Sequence, residues 1–168
     1  ADIGIIGLPN AGKSSLLASF TNANPKIANY QFTTLNPNLG VASYDDKEIT
    51  IADIPGLVEG AHKGTGLGIQ FLKHIERCKS LLHLIDITSE DLKKSYKQVK
   101  NELKKYSNKL IKKKELIVLN KIDLIDEKEV NHIINDFKKN TKSEVVTVST
   151  FNKTSVSKIK SKLLNYVS

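Results

Sequence analysis

Residues 7–14 constrain this chain more than any other part of its sequence. They read Gly-Leu-Pro-Asn-Ala-Gly-Lys-Ser and fit the pattern Gly-x4-Gly-Lys-Ser/Thr. The apolar run 3–6 precedes them, and apolar residues at helical spacing, beginning with Leu16, follow them. In a strand, loop and helix of this order, the backbone N–H groups of the loop and the positive end of the helix both point at phosphate. The sequence therefore predicts a phosphate-binding loop with a fold built around it.

Two side chains of this loop have separate expected roles. Lys13 reaches the β- and γ-phosphates of a nucleotide, and Ser14 offers its hydroxyl to Mg²⁺. Mg²⁺ suits such a site because it binds through few protein ligands and completes its shell with phosphate oxygens and water. The residues expected to contact the phosphates or the ion are Gly7, Pro9, Asn10, Ala11, Gly12, Lys13, Ser14 and Ser15.

Apolar, β-branched runs alternate with helical patterns along the chain. The predicted strands are residues 3–6, 39–43, 49–52, 81–85, 116–119 and 145–148, and the predicted helices are residues 14–21, 68–78, 90–110, 127–139 and 155–166. This alternation predicts an α/β fold with a six-stranded, mostly parallel sheet and helices on both faces. The polar residues 45–47 form the centre of the short connection between the second and third runs, so those strands are expected to pair as a hairpin, giving one antiparallel edge strand.

The length of 168 residues predicts one domain, covering residues 1–168, with a single core. The chain contains no Met and enters a strand at once, so we expect a domain excised from a longer chain. Cys78 is the single cysteine, which excludes an internal disulfide. No apolar stretch is long enough to span a membrane and no signal segment is evident, so the prediction is a cytoplasmic protein.

The net charge of +8 results from 26 Lys and Arg residues against 18 Asp and Glu residues. Such a balance favours a polyanionic partner, and RNA or the ribosome comes before membrane lipid. Residues 93–114 predict an amphipathic helix whose outer face is heavily basic. That face is either a solvated surface or an RNA contact, and the sequence leaves both interpretations open.

Asp53 follows the predicted strand 49–52, and Gly56 comes three residues later. Asp53 at the carboxyl end of a strand suits a carboxylate that holds Mg²⁺ through a water. Because Gly56 lacks Cβ, its backbone N–H can approach the terminal phosphate. The pair therefore predicts a sensor of Mg²⁺ and γ-phosphate.

A second polar motif, Asn120-Lys121-x-Asp123, follows the predicted strand 116–119. It should face the same sheet edge as the phosphate loop, since ligands in open α/β sheets bind at the carboxyl ends of the strands. The Asp123 carboxylate accepts two hydrogen bonds from adjacent guanine N–H donors, an arrangement that adenine cannot match. After the last predicted strand come three residues expected to complete the base pocket: Ser149, Thr150 and Phe151.

The order of these motifs resembles that of translation-factor-type GTPases, of the TRAFAC class of P-loop proteins. The sequence between and around these motifs is specific to one family. Residues 30–40 read Tyr-Gln-Phe-Thr-Thr-Leu-Asn-Pro-Asn-Leu-Gly, and residues 53–68 read Asp-Ile-Pro-Gly-Leu-Val-Glu-Gly-Ala-His-Lys-Gly-Thr-Gly-Leu-Gly. Both resemble the two switch regions of the Obg family, and His-Ile-Glu-Arg-Cys at residues 74–78 agrees with them. The resemblance covers essentially the whole chain.

The resemblance implies a P-loop NTPase fold and a Mg²⁺-dependent GTPase that slowly converts GTP to GDP and phosphate. The family acts as a nucleotide switch in large ribosomal subunit assembly and in stress or growth control, so the implied partner is that subunit or its rRNA. Phe32, Thr33 and Thr34 match the first switch, and Thr34 matches the residue that closes on Mg²⁺ and γ-phosphate. The implied catalytic residues are Lys13, Thr34 and Gly56, and the implied metal ligands are Ser14, Thr34 and Asp53.

Two further residues bear on the expected rate. Leu57 stands where many signalling GTPases have a glutamine that orients the attacking water, so intrinsic turnover is expected to be slow. Asn10 resembles the asparagine that helps hold K⁺ beside the phosphates in potassium-activated relatives. The alternative function is a sensor of GTP, GDP or a guanosine alarmone in which hydrolysis is incidental. No DNA partner is predicted, and the sequence leaves the oligomeric state open.

Overall fold

The structure is a computed structural model that describes residues 2–8, 11–20, 26–27, 38–53, 73, 75–149 and 152–167. The strands are β1 (Ile3–Ile6), β2 (Lys26–Ile27), β3 (Asn38–Tyr44), β4 (Lys47–Asp53), β5 (Ser80–Asp86), β6 (Lys114–Asn120) and β7 (Glu144–Val148). The helices are α1 (Lys13–Phe20), α2 (Leu92–Tyr106), α3 (Asn108–Ile111), α4 (Glu127–Lys138) and α5 (Lys153–Leu163). Single 3-10 turns follow β6 and α5 at Ile122–Leu124 and Leu164–Tyr166.

The described strands form one sheet in the order β2-β3-β4-β1-β5-β6-β7. From β4 to β7 all neighbours are parallel, whereas β3 is antiparallel to both β2 and β4. The predicted α/β class, the six predicted strands and the single antiparallel strand are confirmed. The sheet has in addition the two-residue β2, which pairs with β3 on its outer side, so the described sheet has seven strands and the antiparallel β3 is not the edge strand that the sequence predicted.

The hairpin between β3 and β4 turns through two residues, Asp45 and Asp46. Their φ angles are 53° and 62°, and Tyr44 pairs with Lys47 across the turn. Two-residue hairpins favour positive φ at both positions because this twist matches the twist of the strands, and Asp tolerates that conformation better than most residues. The predicted hairpin is therefore confirmed, with a connection one residue shorter than expected.

Helices cover both faces of the sheet, which explains why the strands read as continuous apolar runs. One face packs α1 and α5 against β1, β5 and β6, with Leu17, Phe20, Ile159 and Leu163 fully buried from the helices. The other face packs α2, α3 and α4, whose buried residues are Val99, Leu103, Leu110, Val130 and Phe137. None of the described helices is both long and apolar enough to cross a membrane.

Capping side chains shift the helix bounds from the predicted ones. Asp91 accepts a hydrogen bond from Lys94 N at 3.0 Å, so α2 begins at Leu92 rather than at residue 90. Ser107 adopts extended backbone and divides the predicted helix 90–110 into α2 and α3. Asn152 caps α5, which therefore begins two residues before the predicted start. The predicted helix 68–78 lies largely outside the described residues.

Candidate nucleotide-binding site

The carboxyl ends of the four parallel strands β1, β4, β5 and β6 lie along one edge of the sheet. The phosphate loop follows β1, and each of the other three strands ends in a polar residue. Because their carboxyl ends share that edge, the phosphate loop after β1 lies beside the ends of β4, β5 and β6. The terminal residues of these three strands are Asp53, Asp86 and Asn120, and all three are buried. This edge is the place where an open α/β sheet binds ligands.

Both described glycines of the loop are required by close packing. A Cβ on Gly7 would lie 2.5 Å from the Leu84 carbonyl oxygen, which belongs to the neighbouring strand β5. Gly12 has a φ of +93°, and a Cβ there would lie 2.7 Å from Asn120 Nδ2. A side chain at either position would displace the loop from the sheet edge. The glycines of the predicted pattern thus hold the loop backbone against β5 and β6.

Lys13 and Asp53 face each other at the mouth of the loop. The Lys13 ammonium lies 3.2 Å from Asp53 Oδ1, and the two side chains are 11% and 10% exposed. Despite this proximity, Asp53 Oδ1 has no partner with hydrogen-bond geometry among the described groups and is buried. The site therefore combines a cation with a carboxylate oxygen whose hydrogen-bonding capacity is unused.

The residues present fit a Mg²⁺ ion. Ser14 follows Lys13 in the first turn of α1, so it brings an oxygen donor to the same end of the helix. Asp53 Oδ1 supplies a second oxygen, and a hard, small cation prefers such ligands. No group of three or more His, Cys, Asp or Glu side chains that could hold a metal occurs within the described ranges. The donor set thus matches a cation that takes its other ligands from water and phosphate.

Asn120 joins the phosphate loop to the second polar motif. Its Nδ2 donates to the Ala11 carbonyl at 3.0 Å, and its Oδ1 accepts from Lys121 N at 2.8 Å. The side chain is buried, so losing either bond would leave an unsatisfied polar atom, at a cost of about 1–3 kcal/mol. Asn120 therefore ties two segments that are 109 residues apart in the chain.

Asp86 is a site residue that the sequence analysis did not identify. Its Oδ2 accepts from Lys121 Nζ at 2.8 Å, while its Oδ1 accepts from Thr88 N and Oγ at 2.8 and 2.6 Å. Burial alone would raise the pKa of this carboxyl, but Lys121 and Thr88 hold the pKa below its ordinary value. An acid directly after the apolar run 81–85, at the edge shared with Asp53, is the signal that could have revealed it.

A hydrogen bond from Ser149 holds the side chain of Asp123. It connects the motif that follows β6 with the residue that follows β7. Ser149 Oγ donates to Asp123 Oδ1 at 2.9 Å, and Ser149 is buried whereas Asp123 is exposed. The carboxylate therefore has a fixed position and an oxygen open to a ligand. The left-handed backbone of Lys121, with a φ of 68°, turns the chain between Asn120 and Asp123.

The structure thus brings together the described part of the predicted site. This part consists of Gly7, Ala11, Gly12, Lys13, Ser14, Ser15, Asp53, Asn120, Lys121, Asp123 and Ser149. Ser14 and Ser15 are exposed at the start of α1. The other predicted site residues, Pro9, Asn10, Phe32, Thr33, Thr34, Gly56, Thr150 and Phe151, lie outside the described residues.

Curated relatives of this chain include proteins named GTPase Obg. GTPase Obg from Pelagibacter ubique is 75% identical over 168 residues, which are 100% of this chain and 51% of that protein. GTPase Obg from Rickettsia felis is 54% identical over 159 residues, covering 95% of this chain and 48% of that protein. The chain therefore spans about half the length of the curated relatives it matches.

Solved structures with the same fold include an Era protein and the G domain of a FeoB protein. An Era variant from Aquifex aeolicus bound to GDP and AlF4⁻ matches with a TM-score of 0.73 and 23% identity, over 99% of this chain and 56% of that chain. The G domain of the FeoB iron transporter from T. maritima matches with a TM-score of 0.70 and 21% identity, over 99% and 98%. At these identities the likeness establishes the fold alone.

A family model described as "50S ribosome-binding GTPase" matches residues 2–121, from β1 through the first two residues of the Asn120-Lys121-x-Asp123 motif. The match includes the phosphate loop and Asp53 and extends over more than half of the chain. Together with the 75% identity to a GTPase Obg over the full chain, it confirms the resemblance noted in the sequence. The chain belongs to the 50S ribosome-binding GTPase family, and its 75% identical relative is named GTPase Obg.

Proposed function

We propose that this chain binds GTP and GDP and slowly hydrolyses GTP to GDP and phosphate, as a single Mg²⁺-dependent GTPase domain. The observation that carries the proposal is the buried hydrogen bond from Asn120 to the Ala11 carbonyl, at 3.0 Å. Because of this bond, a motif suited to guanine and a loop suited to phosphate have a fixed relative position. A nucleotide with guanine at one end and phosphates at the other matches both.

In the proposed reaction, water attacks the γ-phosphate in line, and the protein contributes position and charge. The Lys13 ammonium, fixed at the mouth of the loop by Asp53 at 3.2 Å, neutralises charge on the β- and γ-phosphates. Backbone N–H groups at the start of α1 add their partial positive charge. Ser14 and Asp53, with Thr34 as the predicted third ligand, would hold a Mg²⁺ ion, which when bound stabilises the negative charge of the phosphates.

Guanine recognition is assigned to Asp123, which accepts hydrogen bonds from the two adjacent N–H donors of the base. Ser149 Oγ, at 2.9 Å from Asp123 Oδ1, keeps the carboxylate oriented when no base is present. Lys121, two residues before Asp123, is held by Asp86 at 2.8 Å, and this contact fixes the same turn of the chain. An adenine base would leave the carboxylate unpaired, and such a loss is worth several kcal/mol in sites of this kind.

The test is a substitution that changes the base without removing the side chain. Asp123→Asn replaces one of the two acceptor oxygens with an NH2 donor, so we expect GDP affinity to fall by about 100-fold, since one charge-assisted bond is lost, the other becomes neutral and two donors face each other. Affinity for xanthosine diphosphate should rise, because xanthine presents an acceptor where guanine has a donor. Titration with fluorescent nucleotides measures both. Unchanged base preference in the variant would refute the assignment.

Asp126→Asn is the matched control for this experiment. Asp126 lies three residues after Asp123, is exposed, and makes no side-chain capping bond at the start of α4. The same chemical change there should leave the affinities for both bases within about twofold, because surface substitutions of this type are nearly neutral. An equal loss in both variants would indicate a general charge effect instead of base recognition.

The proposed metal dependence has two separate tests. Removal of divalent ions with EDTA should abolish hydrolysis, whereas the base preference set by Asp123 should persist.

K⁺ stimulation is proposed on the identity of Asn10, which corresponds to the asparagine that helps to hold this ion in potassium-activated relatives. Hydrolysis rates in KCl and NaCl of equal concentration measure it, and equal rates would remove the K⁺ from the proposal.

The biological role we propose is a switch in assembly of the large ribosomal subunit, in the cytoplasm, with the subunit or its rRNA as partner. Membership of a family described as 50S ribosome-binding supports this proposal. Multiple-turnover hydrolysis should rise when large subunits are added. A flat rate combined with tight binding of a guanosine alarmone would instead favour the sensor function.

A further inference from the structure

The positive charge of this chain is concentrated in one segment. Ten of the 26 Lys and Arg residues lie between residues 93 and 114, but only one of the 18 Asp and Glu residues does. That segment therefore carries a net charge of +9, and the rest of the chain carries −1. A general preference for lysine would spread the excess along the chain, so composition alone does not account for this distribution.

The helices α2 and α3 present most of this charge on one exposed surface. We call it the lysine face, and it consists of Lys93, Lys94, Lys97, Lys104, Lys105, Lys109 and Lys112, all exposed. The opposite side of α2 is buried through Val99 and Leu103. Glu102, the one acid of the segment, is 6% exposed, and together with Asp91 it contributes to the groove that Lys94, Lys97 and Lys105 line, so the lysines outnumber the acids there without excluding them.

Exposed lysines continue past the end of α2 into α3. Ser107 separates the two helices, and its Oγ both accepts from Leu110 N at 3.2 Å and donates to Glu76 Oε2 at 2.7 Å. The cap starts α3 immediately, so the exposed Lys109 and Lys112 follow α2 without an intervening loop. The 15 residues of α2 alone span about 22 Å.

Three lysines of this segment contact other groups of the fold, so their charge is not fully available to a partner. Lys100 Nζ lies 3.2 Å from the buried Glu115, and Lys93 Nζ lies 3.2 Å from Asp136 of α4. Lys114 Nζ lies 4.3 Å from the centre of the Tyr166 ring. Lys100 and Lys114 thus belong to the fold, and Lys93, at the start of the lysine face, shares its charge with Asp136.

The polar character of the lysine face favours a nucleic acid over a membrane surface as the source of the phosphates. Gln98, Asn101 and Asn108 lie among the lysines and are exposed. The exposed large hydrophobic residues of the described chain are Val41 and Leu124, and neither belongs to α2 or α3. Binding at a membrane surface requires an apolar face that enters the lipid, whereas the apolar face of α2 packs on the sheet. Lysines interleaved with amides suit a nucleic-acid backbone instead.

We propose that the lysine face docks on the phosphate backbone of double-helical RNA. The inference deepens the proposed ribosomal role by naming the surface that contacts RNA, and it rests on that role for its choice of RNA. An RNA duplex offers rows of phosphates over the length of α2, and each lysine that replaces a condensed counterion adds to the salt dependence of binding. The contact would be independent of base sequence.

The test compares two charge-removal variants of the 168-residue chain. The first carries Lys94→Gln, Lys97→Gln and Lys105→Gln, three lysines that line one groove of the face. Each phosphate contact contributes about 0.9 to the slope of log K against log salt, so this variant should lose about 2 to 3 from the slope. Its affinity for an RNA duplex of roughly 20 base pairs at about 0.1 M salt should then fall by about 100-fold or more.

The matched variant removes three exposed lysines elsewhere: Lys47→Gln, Lys153→Gln and Lys158→Gln. It lowers the net charge by the same amount and should retain most of the slope and affinity. Equal losses in both variants, or no duplex binding by the unaltered chain, would overturn the proposal. Binding of the lysine face to phosphatidylserine vesicles but not to the duplex would overturn it in favour of lipid.

The same proteins are titrated with fluorescent GDP. Loss of RNA binding with unchanged GDP affinity in the first variant is the expected result. If the unaltered chain bound the duplex through the lysine face but did not bind GDP, the proposed function would fail while the RNA surface stood. The two proposals are therefore distinguishable in one set of samples.

Discussion

Replacing Glu115 with glutamine should destabilise the fold in a way that depends on pH. Glu115 lies in β6 with its side chain 4% exposed, beneath α2. Its Oε1 accepts from Tyr96 Oη at 2.5 Å and from Ser143 Oγ at 2.9 Å, and Lys100 Nζ lies 3.2 Å from Oε2. The carboxylate thus links the lysine-bearing helix to the sheet and to the residue before β7.

The magnitude follows from the pKa of this carboxyl. Burial alone would raise the pKa, but His83 Nδ1 at 3.7 Å, the Tyr96 hydroxyl and the Lys100 ammonium together lower it from 4.5 to about 2. A lowered pKa in the folded state means that the ionised form stabilises the fold, by about 3 kcal/mol at neutral pH. This contribution is complete above about pH 4.5 and is lost as pH falls toward 2.

Urea unfolding across a pH series measures the effect. At neutral pH, Glu115→Gln should lower the free energy of unfolding by about 2–3 kcal/mol, because the amide keeps some hydrogen bonds but loses the charge. The difference from the unaltered chain should shrink below about pH 4.5, where the unfolded state takes up a proton first. A difference that stayed constant from neutral to acidic pH would refute the reasoning.

Glu144 offers a control with the same types of partner. It accepts from the Tyr166 hydroxyl at 2.8 Å and pairs with Lys162, but its side chain is 41% exposed. Solvent screens such a pair, so Glu144→Gln should cost less than about 1 kcal/mol. Equal costs at the two positions would show that burial is not the source of the Glu115 contribution.

Three further predictions concern the site and the core. Gly12→Ala should weaken GDP binding by about tenfold or more in a fluorescence titration, because positive φ disfavours alanine and its Cβ would meet Asn120 Nδ2. Asp86→Asn should speed release of fluorescent GDP by about tenfold in stopped flow, since Lys121 would lose its charged partner. Burial raises the pKa of Cys78, so its thiol should react slowly with a disulfide reagent in the folded protein and faster in urea.

Much of the fold could be predicted because its signals are local. Continuous apolar runs identified strands that are buried on both faces, and the short spacing at residues 45–47 identified the hairpin. The loop around Lys13 and the motif at Asn120 could be assigned to one sheet edge from chain order and strand polarity alone. The position of β5 between the strand before the loop and the strand before the motif follows from the sheet order, which local sequence patterns do not determine.

The features that escaped prediction depend on partners distant in the chain. Asp86 acquires its role from Lys121, which lies 35 residues later. His83 lies within an apolar strand and Glu115 is the second residue of another, yet both are buried, because α2 brings Tyr96 and its neighbours over them. Periodicity alone likewise could not place the break at Ser107, where a side-chain cap ends one helix and starts the next.

The order of the strands sets the distance between the strands that carry the two candidate ligand-binding segments. Neighbouring strands are about 4.8 Å apart, and β5 separates β1 from β6, so the strands that lead into the loop at Lys13 and the motif at Asn120 lie roughly 10 Å apart, and the Asn120 side chain reaches across to the Ala11 carbonyl. A ligand that carries only a base or only a phosphate would engage one of these two segments. The proposed nucleotide would engage both, and because the sheet already fixes their spacing, the whole ligand should gain more than its two parts bound separately.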